Sequence, residues 1–473
     1  MKKIFTILVT AIMVSWEATS GLQAMEADTV RTQSINPNQV LVNLIQTKKW
    51  FEVENYYQQH KDSINNEFVK LWYLAETGYV FNHPDEAINA YEQLFDKNLL
   101  HMNTPTLMSL FGQPMLQLCA DVQEYAKGEE LSQKLKTFCE KDTVMQSDTR
   151  LSYIQGFTQA IERFKLFPKE YPKLTFIKNK VDSLSEIKLL PDHNKPSNAI
   201  FFNAKWNGIN LRTIFDTGAA GSYIYNRAIA EKIGIKLNTA DTIMLNYGTI
   251  HALSGVVDSL ELGEFVIKNI PVAVNIEIAD SADLAQVKCD SFMNSAFDIV
   301  LGIPIIRNLG VIEFDFTKNT MSFPQKTTPS DKQNLYIDNT GLRTLYMNME
   351  ICNANFLTYF DTGGEGGLSI NTDFFEKYKQ CIPTEAEVKQ AGNFFGSCNE
   401  TSISKRYEYK CPQIDIKIND QGITLINDCS VAKDKENDNK FGTTEGGFLG
   451  NAIFKYCKKA TFDFDNMVFS MGK

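Results

Sequence analysis

The tripeptide Asp-Thr-Gly occurs twice in this chain, each time at the end of an apolar run. It stands in Ile-Phe-Asp-Thr-Gly-Ala at residues 214–219 and in Tyr-Phe-Asp-Thr-Gly-Gly at residues 359–364. The two copies are 145 positions apart (361 − 216), and at that offset residues 202–226 align with residues 347–371 without a gap. The identical pairs are Asn203/Asn348, Asn210/Asn355, Thr213/Thr358, Phe215/Phe360, Asp216/Asp361, Thr217/Thr362, Gly218/Gly363, Gly221/Gly366 and Asn226/Asn371.

A second block of the chain repeats at an offset of 148 positions. Leu301-Gly302 matches Leu449-Gly450, and Phe314-Asp315-Phe316 matches Phe462-Asp463-Phe464. The distance from the aspartate to this glycine is 86 residues in the first copy (302 − 216) and 89 in the second (450 − 361). One tripeptide arises easily by chance, but two in matched frames indicate a duplicated structural unit.

From about residue 199 onward the chain has β-type runs and glycine-bearing turns. Residues 201–206 and 209–215 flank Asn207-Gly208, and Asn-Gly between two such runs is a strong signal for a β-hairpin. The second strand of this predicted hairpin ends at Asp216. The sequence therefore places the first Asp-Thr-Gly in a turn at the end of a strand.

Each duplicated half resembles one lobe of the pepsin and retropepsin clan of aspartic proteases. The resemblance covers roughly residues 195–473 and rests on the two Asp-Thr-Gly turns and on the apolar-apolar-Gly segments that follow them. It implies an all-β, bilobal acid-protease fold within one chain. We expect lobe 1 at residues 195–328 and lobe 2 at residues 329–473.

Paired aspartates suit peptide-bond hydrolysis that uses neither a metal ion nor a covalent intermediate. This reaction needs a base that takes a proton from water and an acid that protonates the carbonyl oxygen. Two carboxyl groups ~3 Å apart can do both, because like charges that close cannot both be ionised. We expect Asp216 and Asp361 to be the catalytic dyad of an aspartic endopeptidase that acts on peptides or proteins, with no metal and no cofactor.

The residues beside the aspartates have physical roles of their own. Gly218 and Gly363 lack a side chain, so we expect them to adopt positive φ in the turn and to direct their N–H groups at the carboxylates. In the family that the sequence resembles, the threonines fix the dyad through hydrogen bonds between the lobes. That resemblance implies the same role for Thr217 and Thr362.

The position after each Asp-Thr-Gly differs from pepsin-like lobes, which have a hydroxyl side chain there. This chain has Ala219, which is the retropepsin choice, and Gly364. Bacterial retropepsin-like proteins are therefore the nearer resemblance. Because a hydroxyl donor stabilises an ionised carboxylate, its absence raises the pKa of the dyad. We expect an activity optimum less acid than that of pepsin.

A flap that excludes water from the cleft is predicted between Asp216 and Gly302. Tyr247, Gly248 and Thr249 resemble the tip of the pepsin flap, and an extended substrate would pair with the flap backbone. The second half has Phe395-Gly396-Ser397 at the equivalent place, where the Phe cannot donate a hydrogen bond. We expect the working flap in lobe 1, although an ordinary hairpin turn at Gly248 fits the same residues.

Residues 37–170 have the apolar periodicity of helices, so the fold class is α+β, with an all-α domain before the β domain. Residues 71–98 predict two helices, the second opened by Pro84. The spacing of several small and aromatic residues resembles a tetratricopeptide repeat, and any antiparallel helix pair would also fit. These residues are Ala75, Gly78, Tyr79, Ala87, Tyr91 and Phe95.

The N-terminus has the pattern of a secretory signal peptide. Lys2 and Lys3 precede an apolar run at residues 4–14, which is too short to span a bilayer. We expect the signal peptide to be residues 1–24 and residues 25–36 to be a disordered linker. The protein would then be exported from a bacterial cytoplasm, to the periplasm or the medium.

Charge, hydropathy and cysteine content limit the partners, membrane segments and metal sites to be expected of this chain. The net charge is −10 and no basic face stands out, so nucleic acid is not an expected partner. No later segment is apolar enough to span a membrane. Six of the nine cysteines follow residue 350, so we expect disulfides there. The chain has five histidines and no Cys-x-x-Cys, which argues against a structural zinc site.

Two alternatives stay open at the level of sequence. Gly364-Glu365-Gly366-Gly367 is a loose stretch beside the second aspartate, so the chain could be a catalytically degenerate, peptide-binding relative with a helical interaction domain. The helical domain itself could bind substrate or a protein partner, or it could cover the cleft as a pro-segment. A pro-segment would predict cleavage between Phe167 and Ser197.

Overall fold

A computed structural model gives the structure of most of the chain. The described residues are 36–170, 172–179, 185–191, 198–245, 250–275, 296–324, 332–339, 344–394, 403–438 and 446–472. The predicted signal peptide and residues 25–35 of the predicted linker lie outside them.

The N-terminal part of the described chain is helical, as predicted for residues 37–170. A π-helical turn at Met108–Gly112 joins the fifth helix to the sixth. No helix in the described ranges combines the length and the apolar character that crossing a membrane requires. The helices are α1 Pro37–Gln46, α2 Trp50–His60, α3 Glu67–Val80, α4 Pro84–Lys97, α5 Thr104–Leu107, α6 Gln113–Asp121, α7 Tyr125–Lys141 and α8 Ser147–Glu170.

Helices α3 and α4 form the helix pair that the sequence predicts at residues 71–98. Pro84 occupies the first turn of α4 together with Asp85 and Glu86, where carboxylates interact favourably with the helix dipole. Gly78 allows the two helices to approach closely, since a Cβ there would lie 3.0 Å from the backbone nitrogen of Ala87. The helix pair is confirmed, whereas its likeness to a tetratricopeptide repeat stays a prediction.

The rest of the described chain is mainly β-structure. It also has two 3-10 helices, Lys435–Asn437 and Asn451–Tyr456, and three short α-helices, α9 Arg227–Lys232, α10 Ile303–Ile306 and α11 Thr372–Tyr378. The strands are β1 Thr175–Lys178, β2 Ile187–Leu190, β3 Phe201–Trp206, β4 Ile209–Asp216, β5 Ser222–Ile224, β6 Lys236–Leu245, β7 Ile250–Leu262, β8 Phe265–Asn275, β9 Ile299–Gly302, β10 Val311–Asp315, β11 Thr320–Ser322, β12 Leu335–Ile337, β13 Leu345–Ile351, β14 Ala354–Phe360, β15 Leu368–Ile370, β16 Val388–Phe394, β17 Ile403–Ile418, β18 Gln421–Ala432, β19 Gly447–Leu449, β20 Lys459–Asp463 and β21 Val468–Gly472.

The strands form two sheets with the same internal order. One sheet contains β3-β4-β9-β5-β8-β7-β6 and the other contains β13-β14-β19-β15-β18-β17-β16. Each also has one extra pairing, β3 with β7 and β13 with β17. The duplicated sequences therefore fold in the same way. We call residues 198–324 the first β unit and residues 332–472 the second β unit.

The predicted hairpin at Asn207-Gly208 is confirmed. Strands β3 and β4 pair antiparallel up to Trp206 and Ile209, and the two turn residues have φ of 48° and 78°. Both values lie in the left-handed region that a tight hairpin turn of this kind requires. The hairpin is what brings β4, and with it Asp216, into the middle of the sheet.

A cross-unit ladder joins the two β units. Strand β10 of the first unit pairs antiparallel with β20 of the second. Phe462 on β20 has its ring centroid 5.9 Å from Phe215 and 5.6 Å from Phe360. All three rings are fully buried, so one aromatic core underlies the residues that precede both Asp-Thr-Gly turns.

The chain between the helices and the first β unit also belongs to the sheet. Strand β1 pairs with β8, and β2 pairs with β3 and β11. The sheet thus begins before residue 195, where the sequence predicts that lobe 1 starts. Within the second unit Cys352 and Cys381 form a disulfide, as expected for the cysteine-rich last third.

Candidate active site

Asp216 and Asp361 occupy equivalent places at the ends of two strands. Asp216 is the last residue of β4, which runs parallel to β9 and pairs Asp216 with Gly302. Asp361 follows β14, and its backbone N–H donates to the Leu449 carbonyl on the parallel strand β19 at 3.0 Å. Parallel pairing at the centre of each sheet therefore fixes where each aspartate emerges.

The glycine of each turn lies against the carboxyl group of the other β unit. A Cβ added to Gly218 would lie 2.6 Å from Asp361 Oδ1, and one added to Gly363 would lie 2.5 Å from Asp216 Oδ2. The N–H of Gly218 donates to Asp216 Oδ1, and the N–H of Gly363 to Asp361 Oδ1, each at 2.9 Å. Each carboxyl group is thus held by its own turn and lies against the turn of the other β unit.

The expected positive φ at Gly218 and Gly363 is wrong. Neither glycine is among those with left-handed backbone in the described chain. The reason for glycine here is close approach, because no side chain fits between the backbone and the opposite carboxyl group. The expected direction of the N–H groups is what the hydrogen bonds show.

The two threonines bond each other's turn reciprocally. The N–H of Thr217 donates to Thr362 Oγ1 at 3.0 Å, and the N–H of Thr362 donates to Thr217 Oγ1 at 3.1 Å. Each hydroxyl then donates to a carbonyl of the other unit, that of Phe360 or Phe215, at 2.8 Å. Both threonines are fully buried, so four buried hydrogen bonds fix one turn relative to the other.

The electrostatics of the two carboxyl groups are strongly perturbed. Burial raises the pKa of Asp216 well above its usual range, and the charge of Asp361 raises it further. Burial also raises the pKa of Asp361, against the opposing effect of hydrogen bonds from Asp216, Gly364 and Gly363. Burial therefore disfavours the ionised form of both carboxyl groups, and it disfavours most the state in which both are ionised.

The apolar-apolar-Gly segments support the loops that follow the aspartates. A Cβ at Gly302 would lie 2.7 Å from the Ala219 carbonyl, to which the N–H of Ile303 donates at 2.9 Å. In the second unit the N–H of Asn451 donates to the Gly364 carbonyl at 2.9 Å. The second matched block of the sequence thus lies directly against the first.

Hydrogen bonds also order the glycine-rich stretch after Asp361. The N–H of Gly364 donates to Asp361 Oδ1 at 2.9 Å, and the Gly366 carbonyl accepts from Ala452 N at 2.9 Å. Gly366 has φ of 109°, a conformation that few other residues adopt. Glu365 points outward and is exposed. The stretch is a defined turn, although its composition suggests a loose one.

Sequence reasoning missed three aromatic residues near the aspartates. The hydroxyl of Tyr359 donates to the Gly218 carbonyl of the other unit at 3.2 Å. Phe448 lies against Gly364, where an added Cβ would be 2.6 Å from its ring. Burial raises the pKa of Tyr225, with a further contribution from the charge of Asp216. The 145-residue offset pairs Tyr359 with Ile214, so an asymmetry was visible but had no assigned role.

The predicted flap tip, Tyr247-Gly248-Thr249, lies outside the described residues, as does Phe395-Gly396-Ser397. The strands on either side of the first tip are described, and β6 and β7 pair as far as Leu245 and Ile250. Among the described residues no group of three His, Cys, Asp or Glu side chains is placed to hold a metal ion.

Residues 202–305, which include Asp216 and Gly302, match the aspartyl protease family. A comparison with curated proteins gave no match. Among solved structures, a retropepsin-like aspartic protease from Rickettsia conorii is 18% identical, with 32% of this chain and 93% of that chain covered and a TM-score of 0.21. Basic 7S globulin from soybean is 11% identical, with 63% and 95% covered and a TM-score of 0.34. Conglutin gamma from lupine seeds is 9% identical, with 63% and 95% covered and a TM-score of 0.35. The family match, which contains the first Asp-Thr-Gly turn, supports an aspartic protease family for this chain.

Proposed function

We propose that this protein is an aspartic endopeptidase whose two β units form the two lobes of one active site. The observation that supports this most strongly is the meeting of the two Asp-Thr-Gly turns, with each glycine against the opposite carboxyl group and the threonines bonded reciprocally. A single structural turn would need no partner of this kind. The aspartyl protease match over residues 202–305 supports the same reaction class.

In the proposed reaction a water molecule binds between Asp216 and Asp361, which together carry one proton. The ionised carboxylate takes a proton from this water as its oxygen attacks the peptide carbonyl carbon, and the protonated carboxyl group donates its proton to the carbonyl oxygen. The tetrahedral gem-diol then breaks down as the amine leaves with a proton from one carboxyl group. A hydroxyl of the diol returns its proton to the other carboxylate, so the dyad again carries one proton. The raised pKa of both groups suits this role, because it keeps the shared proton in place at moderate pH.

The test is cleavage of a diverse peptide pool by purified residues 25–473 over a range of pH. Asp216→Asn and Asp361→Asn remove one carboxylate each with little change of shape. The matched control is Asp420→Asn, since the Asp420 side chain is fully exposed. We expect the wild type and the control to cut at the same rate and both dyad variants to be inactive.

The other outcomes separate the alternatives. Loss of activity in only one dyad variant would contradict the single-chain dyad and indicate a site shared between two chains. A wild type that binds peptides but cuts none would favour the catalytically degenerate, peptide-binding alternative. Hydrogen bonds hold the turn at Gly364–Gly367 in a defined conformation beside Asp361. This ordered surrounding argues against that alternative.

We also propose that the protein is exported from a bacterial cytoplasm. The support is the signal-peptide pattern of residues 1–24 together with the Cys352–Cys381 disulfide, a bond typical of oxidising compartments. Intact-mass measurement of the protein from the periplasm or medium should give a chain that begins at Met25. A full-length chain that stays with the cytoplasmic fraction would contradict export.

A further inference from the structure

One side chain of the helical region contacts both β units. Asn82 lies in the turn between α3 and α4 with φ of 66°, a left-handed conformation that Asn tolerates better than most residues. Its Nδ2 donates to the carbonyls of Arg307 and Phe464, each at 3.1 Å. Arg307 belongs to the first β unit and Phe464 to the second. A single amide therefore spans the boundary between the units.

These two carbonyls lie at one end of the cross-unit ladder. Arg307 precedes β10 by a few residues, and Phe464 directly follows β20. The ladder starts with the pair Val311 and Asp463, and the N–H of Phe464 donates to the Gly310 carbonyl at 3.2 Å just beyond it. Asn82 thus lies at the end of the cross-unit ladder. Phe462 of the same ladder packs beneath both Asp-Thr-Gly turns.

A second line of contacts leads from the helical region to the first turn. The ring of Phe51 on α2 lies edge-on to Tyr336, with centroids 5.7 Å apart. Tyr336 stacks on Tyr346 at 5.0 Å, and Tyr346 lies 6.0 Å from Tyr359. The Tyr359 hydroxyl bonds the Gly218 carbonyl. Four consecutive aromatic rings therefore connect α2 to the turn of Asp216.

A third contact is polar and partly buried. Asn339 of the second β unit donates from Nδ2 to Glu76 Oε2 at 2.9 Å. The other oxygen of Glu76 accepts from the Tyr91 hydroxyl at 3.0 Å, so the carboxylate is held from both sides. Burial raises the pKa of Glu76. A group that costs free energy to bury and yet is bonded across this boundary is typical of a built interface.

We propose that helices α1–α8 are a permanent brace of the two β units, with Asn82 as its positioning residue, and not a pro-segment that leaves the mature protein. The Asn82 contacts go to the ladder that joins the two units and involve both units at once. The contacts of Phe51 and Glu76 add Tyr336 and Asn339 of the second unit. The brace goes beyond the proposed protease activity. Its test measures association and therefore needs no catalysis.

The test cuts the covalent link between the helices and the β units and leaves the noncovalent contacts between them in place. A recognition sequence for a site-specific protease, inserted after Glu170 where α8 ends, allows the full-length folded protein to be cut. We expect the helical fragment to co-elute with the β units in size-exclusion chromatography at micromolar concentration. A wild-type fragment that elutes separately after the cut would overturn the proposal.

Asn82→Gly tests the positioning residue, because Gly keeps the left-handed backbone and removes the amide. The matched control is Asn98→Gly. Asn98 also has left-handed φ, 35°, but its side chain bonds only Met102 within the helical region. We expect Asn82→Gly to weaken association of the cut fragment about tenfold relative to the control, as the loss of two hydrogen bonds predicts.

Hydrogen exchange gives an independent readout on the uncut protein. The Phe464 amide, which bonds Gly310 at the end of the ladder, should exchange faster in Asn82→Gly than in Asn98→Gly. Equal exchange and equal association in the two variants would overturn the role of Asn82. Because neither measurement uses a substrate, failure of the brace and failure of the protease proposal are distinguishable.

Discussion

The two Asp-Thr-Gly turns are nearly identical in the threonine hydrogen bonds beneath them, which we call the base of the site. They differ in the side chains that flank the turns, which we call the rim. Thr217 and Thr362 make the same pair of hydrogen bonds with their roles exchanged. At the rim, Tyr359 in the second unit stands where the first unit has Ile214. Phe448, which is partly exposed, stands where the first unit has Val300, which is buried.

This difference separates two requirements. Sharing one proton needs two carboxyl groups in closely matched surroundings, so the base of the site tolerates little divergence between the copies. The rim positions carry no such requirement: Ile214, Val300 and Tyr359 only have to fill buried space. Phe448 differs from them in being partly exposed.

The largest expected effect comes from filling the space between the carboxyl groups. Gly218→Ala or Gly363→Ala would place a methyl group about 2.5 Å from the opposite carboxylate, so the dyad must separate. We expect either variant to lose at least about a hundredfold in kcat, since misplacement of reacting groups by about 1 Å has an effect of that size. Cleavage assays under saturating substrate measure it.

Gly221→Ala is the matched control for both glycine variants. A Cβ at Gly221 would have its nearest neighbour, the Tyr223 hydroxyl, at 3.5 Å, which is an ordinary contact. We expect nearly wild-type kcat for this variant. Equal losses of kcat in all three variants would show that any methyl group added to these turns lowers activity, and would contradict the explanation by close approach.

The next effect is on stability, and it tests whether the threonine hydrogen bonds of the two turns are equivalent. Thr217→Val and Thr362→Val keep shape but leave a buried N–H and a buried carbonyl without their bonds. We expect each to lower the free energy of unfolding by about 2–4 kcal/mol, by similar amounts in the two units. Thr358→Val, which loses one 3.2 Å bond to the adjacent carbonyl, should cost about 1 kcal/mol or less.

Chemical denaturation measures the free energy of unfolding of each variant. The double variant Thr217→Val/Thr362→Val tests whether the hydrogen bonds act together. Because each hydroxyl accepts from the other threonine's N–H, the two losses should be strongly non-additive. Additive losses would mean that the four bonds do not act as one network.

A smaller effect is expected where the units differ. Tyr359→Phe removes only the hydroxyl that bonds the Gly218 carbonyl and keeps the ring in its aromatic stack. One hydrogen bond of about 1 kcal/mol corresponds to roughly a fivefold fall in kcat if it positions the first turn. An unchanged kcat with an unchanged pH profile would leave Tyr359 without a positioning role.

Much of the base of the site was predictable from the sequence, and the rim was not. The matched frames around Asp216 and Asp361 predicted two equivalent strand-end turns, because strand pairing follows from local pattern. The reason for Gly218 and Gly363 was missed, since close approach to a residue about 145 positions away leaves no local signal. The contact of Asn82 with both β units is invisible for the same reason.

The smallest expected effect is on the pH dependence of activity. It tests how the residue after each Asp-Thr-Gly influences the pKa of the neighbouring carboxyl group. The pKa of both dyad carboxyls is raised, and neither Ala219 nor Gly364 supplies a hydroxyl donor to oppose the rise. A raised pKa means that the doubly protonated, inactive dyad persists to higher pH. The acid limb of the kcat/KM profile therefore lies above that of an enzyme with lower dyad pKa values.

Ala219→Ser should move that limb to lower pH by less than about one unit, because a hydroxyl that donates to the ionised carboxylate favours it. Ala219 is the better site for this change, since a Cβ is already present there. At Gly364 a Cβ would lie 2.6 Å from the Phe448 ring and 2.9 Å from Asp361 Oδ2, so Gly364→Ser must first displace Phe448. Profiles of kcat/KM for both variants would show whether the two turns are electrostatically equivalent. Burial is the main cause of the raised pKa values, and the missing hydroxyl is expected to add to it. A wild-type optimum near about pH 2–3, or an acid limb that Ala219→Ser leaves in place or shifts upward, would contradict that added effect.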